Sequence, residues 1–101
     1  ERVGGIVLGI FESAEDLSMV ETGENIDCIL MDIQLKGEKS GLDATEELRR
    51  YSKTPVLFIS GNNSSEVLQR METLNYTYFL GKPYTEKDLF KKLHEMNLIK
   101  L

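Results

Sequence analysis

Four short apolar runs alternate with four stretches that carry helix signals, and this alternation restricts the fold more than any other feature of the chain. The runs are Ile6-Val7-Leu8-Gly9-Ile10-Phe11, then Cys28-Ile29-Leu30-Met31 ending on Asp32, then Pro55-Val56-Leu57-Phe58-Ile59 ending on Ser60, and Tyr76-Thr77-Tyr78-Phe79-Leu80 ending near Lys82-Pro83. Each is nearly continuous and rich in β-branched or aromatic residues, as strands buried on both faces of a parallel sheet are. Between them, Ser13-Ala14-Glu15-Asp16 and Thr85-Glu86-Lys87-Asp88 have the form of a capping box with Asp in place of Glu. Ser64 or Ser65 can cap the segment that follows it. Helical spacing appears at Leu42, Thr45 and Leu48, at Val67, Met71 and Leu74, and at Leu89, Leu93 and Met96. Strands alternating with helices imply right-handed βαβ units and a layered α/β sandwich. The 101 residues suffice for one domain, and no internal repeat, low-complexity stretch or interdomain linker interrupts them.

Composition narrows the function classes. Hydrophobic residues at 41% and charged residues at 29% make a globular balance rather than a disordered one. No apolar run approaches the length of a membrane span, and Glu1-Arg2-Val3-Gly4-Gly5 lacks the charged-then-apolar pattern of a signal sequence. The single cysteine, Cys28, excludes an internal disulfide and a cysteine-rich zinc site. It lies in an apolar run, reads as a small buried hydrophobe, and points to a reducing, cytoplasmic compartment. A net charge of −5 without a Lys/Arg block argues against direct binding to nucleic acid. It suits a site that gathers a divalent cation, or a basic protein partner. His94 is the lone histidine and reads as an ordinary helix-surface residue; no histidine cluster exists for a transition metal.

In open α/β sheets, ligands bind beyond the carboxyl ends of the strands. The residues ending the second, third and fourth runs are a carboxylate, a hydroxyl and an ammonium: Asp32, Ser60 and Lys82. Each has an ordinary reading, as a turn former, a loop residue and a solvated lysine. Together, at the ends of successive strands, they make chemical sense. A carboxylate can act as nucleophile toward a phosphoryl group and form an aspartyl-phosphate. Phosphoryl transfer needs charge neutralisation above all. Lys82 can supply a positive charge, Ser60 a hydrogen bond, and Mg²⁺ on oxygen ligands a bridge between carboxylate and phosphate.

These residues resemble a family. Ile29-Leu30-Met31-Asp32-Ile33-Gln34-Leu35 followed by Gly41-Leu42 resembles the phosphoacceptor segment of response-regulator receiver domains. Pro55-Val56-Leu57-Phe58-Ile59-Ser60-Gly61 resembles that family's fourth strand, and Phe79-Leu80-Gly81-Lys82-Pro83-Tyr84 its fifth strand with the Lys-Pro signature. The resemblance covers nearly the whole chain. It implies a flavodoxin-like three-layer fold with a parallel sheet of order 2-1-3-4-5. It implies that Asp32 is the phosphorylated residue, that Ser60 turns toward the phosphoryl group, that Lys82 contacts it, and that the backbone carbonyl of Gln34 joins Asp32 in binding Mg²⁺. Phe79 would be the aromatic residue whose rotamer follows activation, although an aromatic in a strand is more often plain core. Gly61 would leave room beside the phosphoryl group and lend a backbone N–H. Lys82-Pro83 would be a cis peptide.

One departure is large. The family carries an acidic, metal-binding pair after its first strand, and no such pair precedes Asp32 in a fitting place. Ile6–Phe11 matches the family's second strand and 14–22 its second helix. Strand 1 and most of the first helix are thus absent, a unit on the order of 25 residues. The expectation is an N-terminally incomplete receiver domain over 1–101, with a gap in the sheet where strand 1 would lie. Glu12 is set aside as a substitute for the acidic pair, because too few residues remain between it and Cys28 for a helix, a strand and a second helix.

The implied partners are a sensor histidine kinase or a phosphotransfer protein. An output domain or protein target, and a homodimer through the face of the family's fourth helix, fifth strand and fifth helix, would follow. The chain would accept a phosphoryl group, and could self-dephosphorylate, without being a turnover enzyme. Three rivals stand beside this reading. Haloacid-dehalogenase-like phosphatases also use a strand-ending Asp, then Ser or Thr, then Lys, but place a general acid where this chain has Gln34. A degenerate receiver used only for docking would leave the complete Asp32, Ser60 and Lys82 set unexplained, as would a flavodoxin-like nucleotide binder. A loop-contact role for Lys36, Glu38 and Lys39 is weaker than a solvated loop.

Overall fold

A computed structural model describes residues 2–13, 25–36, 40–61 and 64–100. Five strands, β1 (Arg2–Val3), β2 (Ile6–Ser13), β3 (Cys28–Lys36), β4 (Val56–Ser60) and β5 (Thr77–Gly81), form one sheet in the order β1-β2-β3-β4-β5. β1 is a two-residue stub, antiparallel to β2 across a turn whose Gly4 and Gly5 both take positive φ. The other four strands run parallel. Three helices pack on them: α1 (Gly41–Leu48), α2 (Ser65–Glu72) and α3 (Glu86–Glu95).

The side-chain alternation of the strands separates two cores, one on each face of the sheet. Phe11, Ile29, Met31, Ile33, Val56 and Phe58 point to the face covered by Leu42, Leu48 and Met71 of α1 and α2. Ile6, Leu8, Cys28, Leu30, Leu57 and Ile59 point to the face covered by Leu89 and Leu93 of α3, with Met96 and Ile99 beyond it. All five residues of β4 are buried, which explains its unbroken apolar run. Cys28 is fully buried, and its burial pushes the thiol pKa up to about 12, so it serves as packing rather than chemistry.

The three-layer α/β arrangement agrees with expectation, and the order of the parallel strands is the expected one with strand 1 left out. The expected gap is not there. β2 bonds directly to β3, with Leu8 opposite Cys28 and Phe11 opposite Met31. An open row of N–H and C=O groups inside a sheet would be unsatisfied, and closing the two strands removes that cost.

Helix starts follow the capping residues. Thr85 and Asp88 form the expected capping box of α3, and Ser64 caps α2 by accepting from Val67 N–H at 3.4 Å. The start of α1 is a further capping box, Ser40 with Asp43, so the helix begins at Gly41, one residue before the apolar spacing from Leu42. Ser13 ends β2, while residues 14–16 of its expected capping box and the helix over 14–22 lie outside the described residues, as do Gly37, Glu38 and Lys39.

Candidate functional site

Asp32 does not end its strand. β3 runs on to Lys36, but its pairing with β4 stops at Asp32 opposite Ile59. On the other side the register breaks: from Phe11 to Ser13 β2 advances two residues while β3 advances five, from Met31 to Lys36. The excess chain begins at Asp32. A bulge there turns the carboxylate out of the ladder at the sheet's carboxyl edge, a common use of bulges beside sites.

The carboxylate is held from two sides. Gln34 N–H donates to Oδ1 at 2.9 Å, and Lys82 Nζ donates to Oδ2 at 2.5 Å. Lys82 reaches it across β4 because the register aligns the strand ends. Ser60 lies opposite Gly81, and Lys82 N–H donates to the Ser60 carbonyl at 3.0 Å. Lys82-Pro83 is a cis peptide. Both charged side chains are partly open to solvent, at 36% for Asp32 and 47% for Lys82, so a ligand can reach them.

Asp32 and Lys82 line one cavity of about 280 Å³ together with Glu12, Gln34, Ile10, Ile59 and Tyr84. Ser60 is not on that wall. It is 4% exposed at the end of β4, so the structure brings two of the expected three polar residues into contact and leaves the third buried. Gly61 is exposed, and a side chain built there would meet no atom within 4 Å, so the space beside it is open. Phe79 is half-buried against the core of Phe58 and Met31, and it lines a separate groove of about 570 Å³ with Leu68, Met71 and Tyr78.

Two residues change standing. Glu12, set aside on chain length, lies on the cavity wall, because closure of β2 onto β3 brings the end of β2 beside Asp32. Gly41 acquires a role that the sequence hid. A Cβ there would fall on the carbonyl oxygen of Asp32 and within 3.1 Å of Ile33 Cα, so only glycine lets α1 start against the Asp32 backbone. Among the described residues no group of three or more His, Cys, Asp and Glu side chains comes together. His94 shares a 3.2 Å hydrogen bond with the Ile99 carbonyl, away from the cavity. No helix among the described residues is long and apolar enough to cross a membrane.

A flavodoxin-like parallel sheet with an aspartate and a lysine joined at its carboxyl edge is the arrangement that the resemblance to receiver domains implies. The response regulator receiver domain model matches residues 3–94, and the chain belongs to that family of two-component signalling domains. It is 31% identical over 97 residues, 92% of its length, to the CAI-1 autoinducer sensor kinase/phosphatase CqsS of Vibrio cholerae, and it spans 14% of that protein. It is 29% identical over 89 residues to Nodulation protein W of Bradyrhizobium diazoefficiens, covering 87% of this chain and 39% of that one. Among solved structures it resembles the chemotaxis response regulator CheY4 of Vibrio cholerae, with a TM-score of 0.72 at 18% identity over 89% of this chain and 96% of that one. At that identity the likeness shows the fold. Receiver domains are in general signalling domains rather than turnover enzymes, and they generally bind Mg²⁺ at the phosphorylation site.

Proposed function

We propose that residues 1–101 belong to a phosphoacceptor receiver domain in which Asp32 takes a phosphoryl group from the phosphohistidine of a sensor kinase or phosphotransfer protein. The observation that carries this reading is the Lys82–Asp32 contact at the rim of an open cavity. In the transfer the P–N bond to the imidazole breaks and a P–O bond to an Asp32 carboxylate oxygen forms. Lys82, already on Oδ2, follows the charge onto the phosphoryl oxygens. Gln34 N–H holds Oδ1 and so keeps the carboxylate aimed at the cavity. The donors on hand are hard oxygens, the carboxylates of Asp32 and Glu12 and the backbone carbonyl of Gln34, and these suit a cation that keeps several of its waters. Bound there, Mg²⁺ would offset the negative charge shared by carboxylate and phosphate.

Ser60 then turns its hydroxyl toward the phosphoryl oxygens, and Gly61 leaves room beside them. Phe79 follows, since its ring borders both the core and the groove of Leu68, Met71 and Tyr78. That groove, between α2 and β5, is the face whose affinity for an output domain, a protein target or a second copy would change. Its exposed Leu68, Tyr76 and Tyr78 fit a protein contact. The chain would work in the cytoplasm, without direct contact with nucleic acid or membrane.

The test is phosphate uptake from a small acyl phosphate with Mg²⁺, read by intact-mass spectrometry. One added phosphate is expected, absent in Asp32→Asn. Uptake that persists in that variant would place the acceptor elsewhere.

A further inference from the structure

Ser60 is buried at the end of β4, off the lining of the cavity that holds Asp32, and α2, starting at Ser65, is the next element of the chain. What holds α2 therefore bears on the site. Its apolar anchorage is thin: Met71 is its one buried residue, helped by half-buried Val67. On the sheet side the Thr77 hydroxyl of β5 donates to the Met71 carbonyl at 3.2 Å, and toward α1 the polar anchorage among the described residues is one guanidinium. Arg70 Nη2 donates to Asp43 Oδ1 and, at 3.1 Å, to Glu46 Oε2, both on α1.

Asp43 is not an ordinary surface carboxylate. Its Oδ2 accepts from Ser40 N–H at 3.3 Å, completing the capping box, so one carboxylate caps α1 and grips α2. The capped end is the end that rests on Asp32 through Gly41. Thr45, fully buried, fixes this turn further by donating to the Gly41 carbonyl at 2.8 Å. The hydrogen bond from Arg70 is the foremost cause holding the Asp43 carboxyl below its ordinary range, and the two carboxylates raise the Arg70 guanidinium. A continuous series of contacts thus joins Asp32, Gly41, Asp43, Arg70 and the helix that follows Ser60.

Resting on the phosphoacceptor reading above, we propose that Arg70 is a positioning residue of the site: it clamps the helix leaving Ser60 onto the helix seated on Asp32, and so restrains the movement that carries Ser60 to the phosphoryl group. The groups involved are 41–67% exposed, so salt screens the clamp. An exposed ion pair contributes a modest amount, on the order of 0.2–1 kcal/mol, which is a rate factor of up to about five. Such an amount matters here because the other anchors of α2 are few: buried Met71, half-buried Val67 and the hydrogen bond from the Thr77 hydroxyl.

The test uses the purified chain and the variants Arg70→Gln, Arg70→Lys and Glu46→Gln, with two readouts. Amide hydrogen exchange over residues 67–72 reports the clamp itself. The initial rate of phosphate uptake from an acyl phosphate with Mg²⁺ reports its link to Asp32. Arg70→Gln is expected to speed exchange in α2 and to raise the uptake rate about two- to five-fold at low salt. Glu46→Gln should give a smaller rise and Arg70→Lys a partial return, while added salt brings the unaltered chain toward the Arg70→Gln rate. Unchanged exchange in Arg70→Gln would overturn the clamp. Faster exchange with an unchanged uptake rate would overturn the positioning role. Failure of the unaltered chain to take phosphate on Asp32 would refute the phosphoacceptor reading, and that role with it, while exchange would still report on the clamp.

Discussion

Gly41 shows how much one residue of the site depends on a missing side chain. Its Cβ position is occupied by backbone, the Asp32 carbonyl and the Ile33 Cα, and backbone cannot swing aside as a side-chain tip can. Alanine would gain about 1 kcal/mol of helix propensity over glycine. The clash is worth more, about 1–3 kcal/mol for overpacking a tight site. Gly41→Ala is therefore expected to lower stability in urea denaturation, and also to slow phosphate uptake, because α1 can relieve the clash only by pushing Asp32 out of line with Lys82. A variant as stable as the parent would mean that α1 seats differently. Cys28 makes the opposite case at the same scale, since full burial and a raised pKa leave it no reactive thiolate.

At the scale of elements, α1 and α3 start from the same device, Ser40 with Asp43 and Thr85 with Asp88. The α3 box was legible because Thr85-x-x-Asp88 stands just before an amphipathic stretch. The α1 box has the same form but is masked in the sequence, because Gly41, the first residue of the helix, reads as a loop glycine. Arg49 was not legible at all. It donates to the carbonyls of Asn75 at 2.7 Å and Tyr76 at 3.1 Å, tying the end of α1 to the turn before β5, and no local pattern links residues so far apart. Thr85→Ala removes a cap, at a cost of about 1 kcal/mol, and should loosen α3 close to Lys82; Thr85→Ser should restore it in thermal melts. Both capping aspartates have lowered pKa values, Asp43 chiefly through Arg70 and Asp88 chiefly through the Thr85 backbone N–H. A depressed carboxylate stabilises the fold above its unfolded value, near 3.9, and that stability is lost as the pH falls through the folded value. Stability should thus decline below about pH 4, less steeply in Asp88→Asn than in the parent.

Across the whole molecule, the sheet was legible and its closure was not. Strand composition located β2 to β5 to within a few residues, because burial on both faces leaves an unbroken apolar signature. Side-by-side placement of β2 and β3 is a long-range pairing with no such signature, and the same pairing put Glu12 on the cavity wall. That shared sheet also governs how the molecule should come apart. The two cores meet back to back on it, with Leu57 serving one and Phe58 the other from adjacent positions of β4. Stripping either face would leave β4 half bare, so neither core is expected to persist alone. Leu93 of α3 is fully buried, on the far side of the sheet from α1 and α2. Leu93→Ala should cost about 2–5 kcal/mol, which for a chain of this size lowers the melting midpoint by more than about 10 °C. Far-ultraviolet circular dichroism, which sees all the helices, and tyrosine fluorescence, which draws on Tyr84 near α3 and on Tyr51, Tyr76 and Tyr78 elsewhere, should shift together. Phosphate uptake should fall only where the fold does. A Leu93→Ala chain whose tyrosine fluorescence changes in two steps, the first while most of the helix signal persists, would show that the α3 layer is an independent unit, and that the sheet does not couple its two faces.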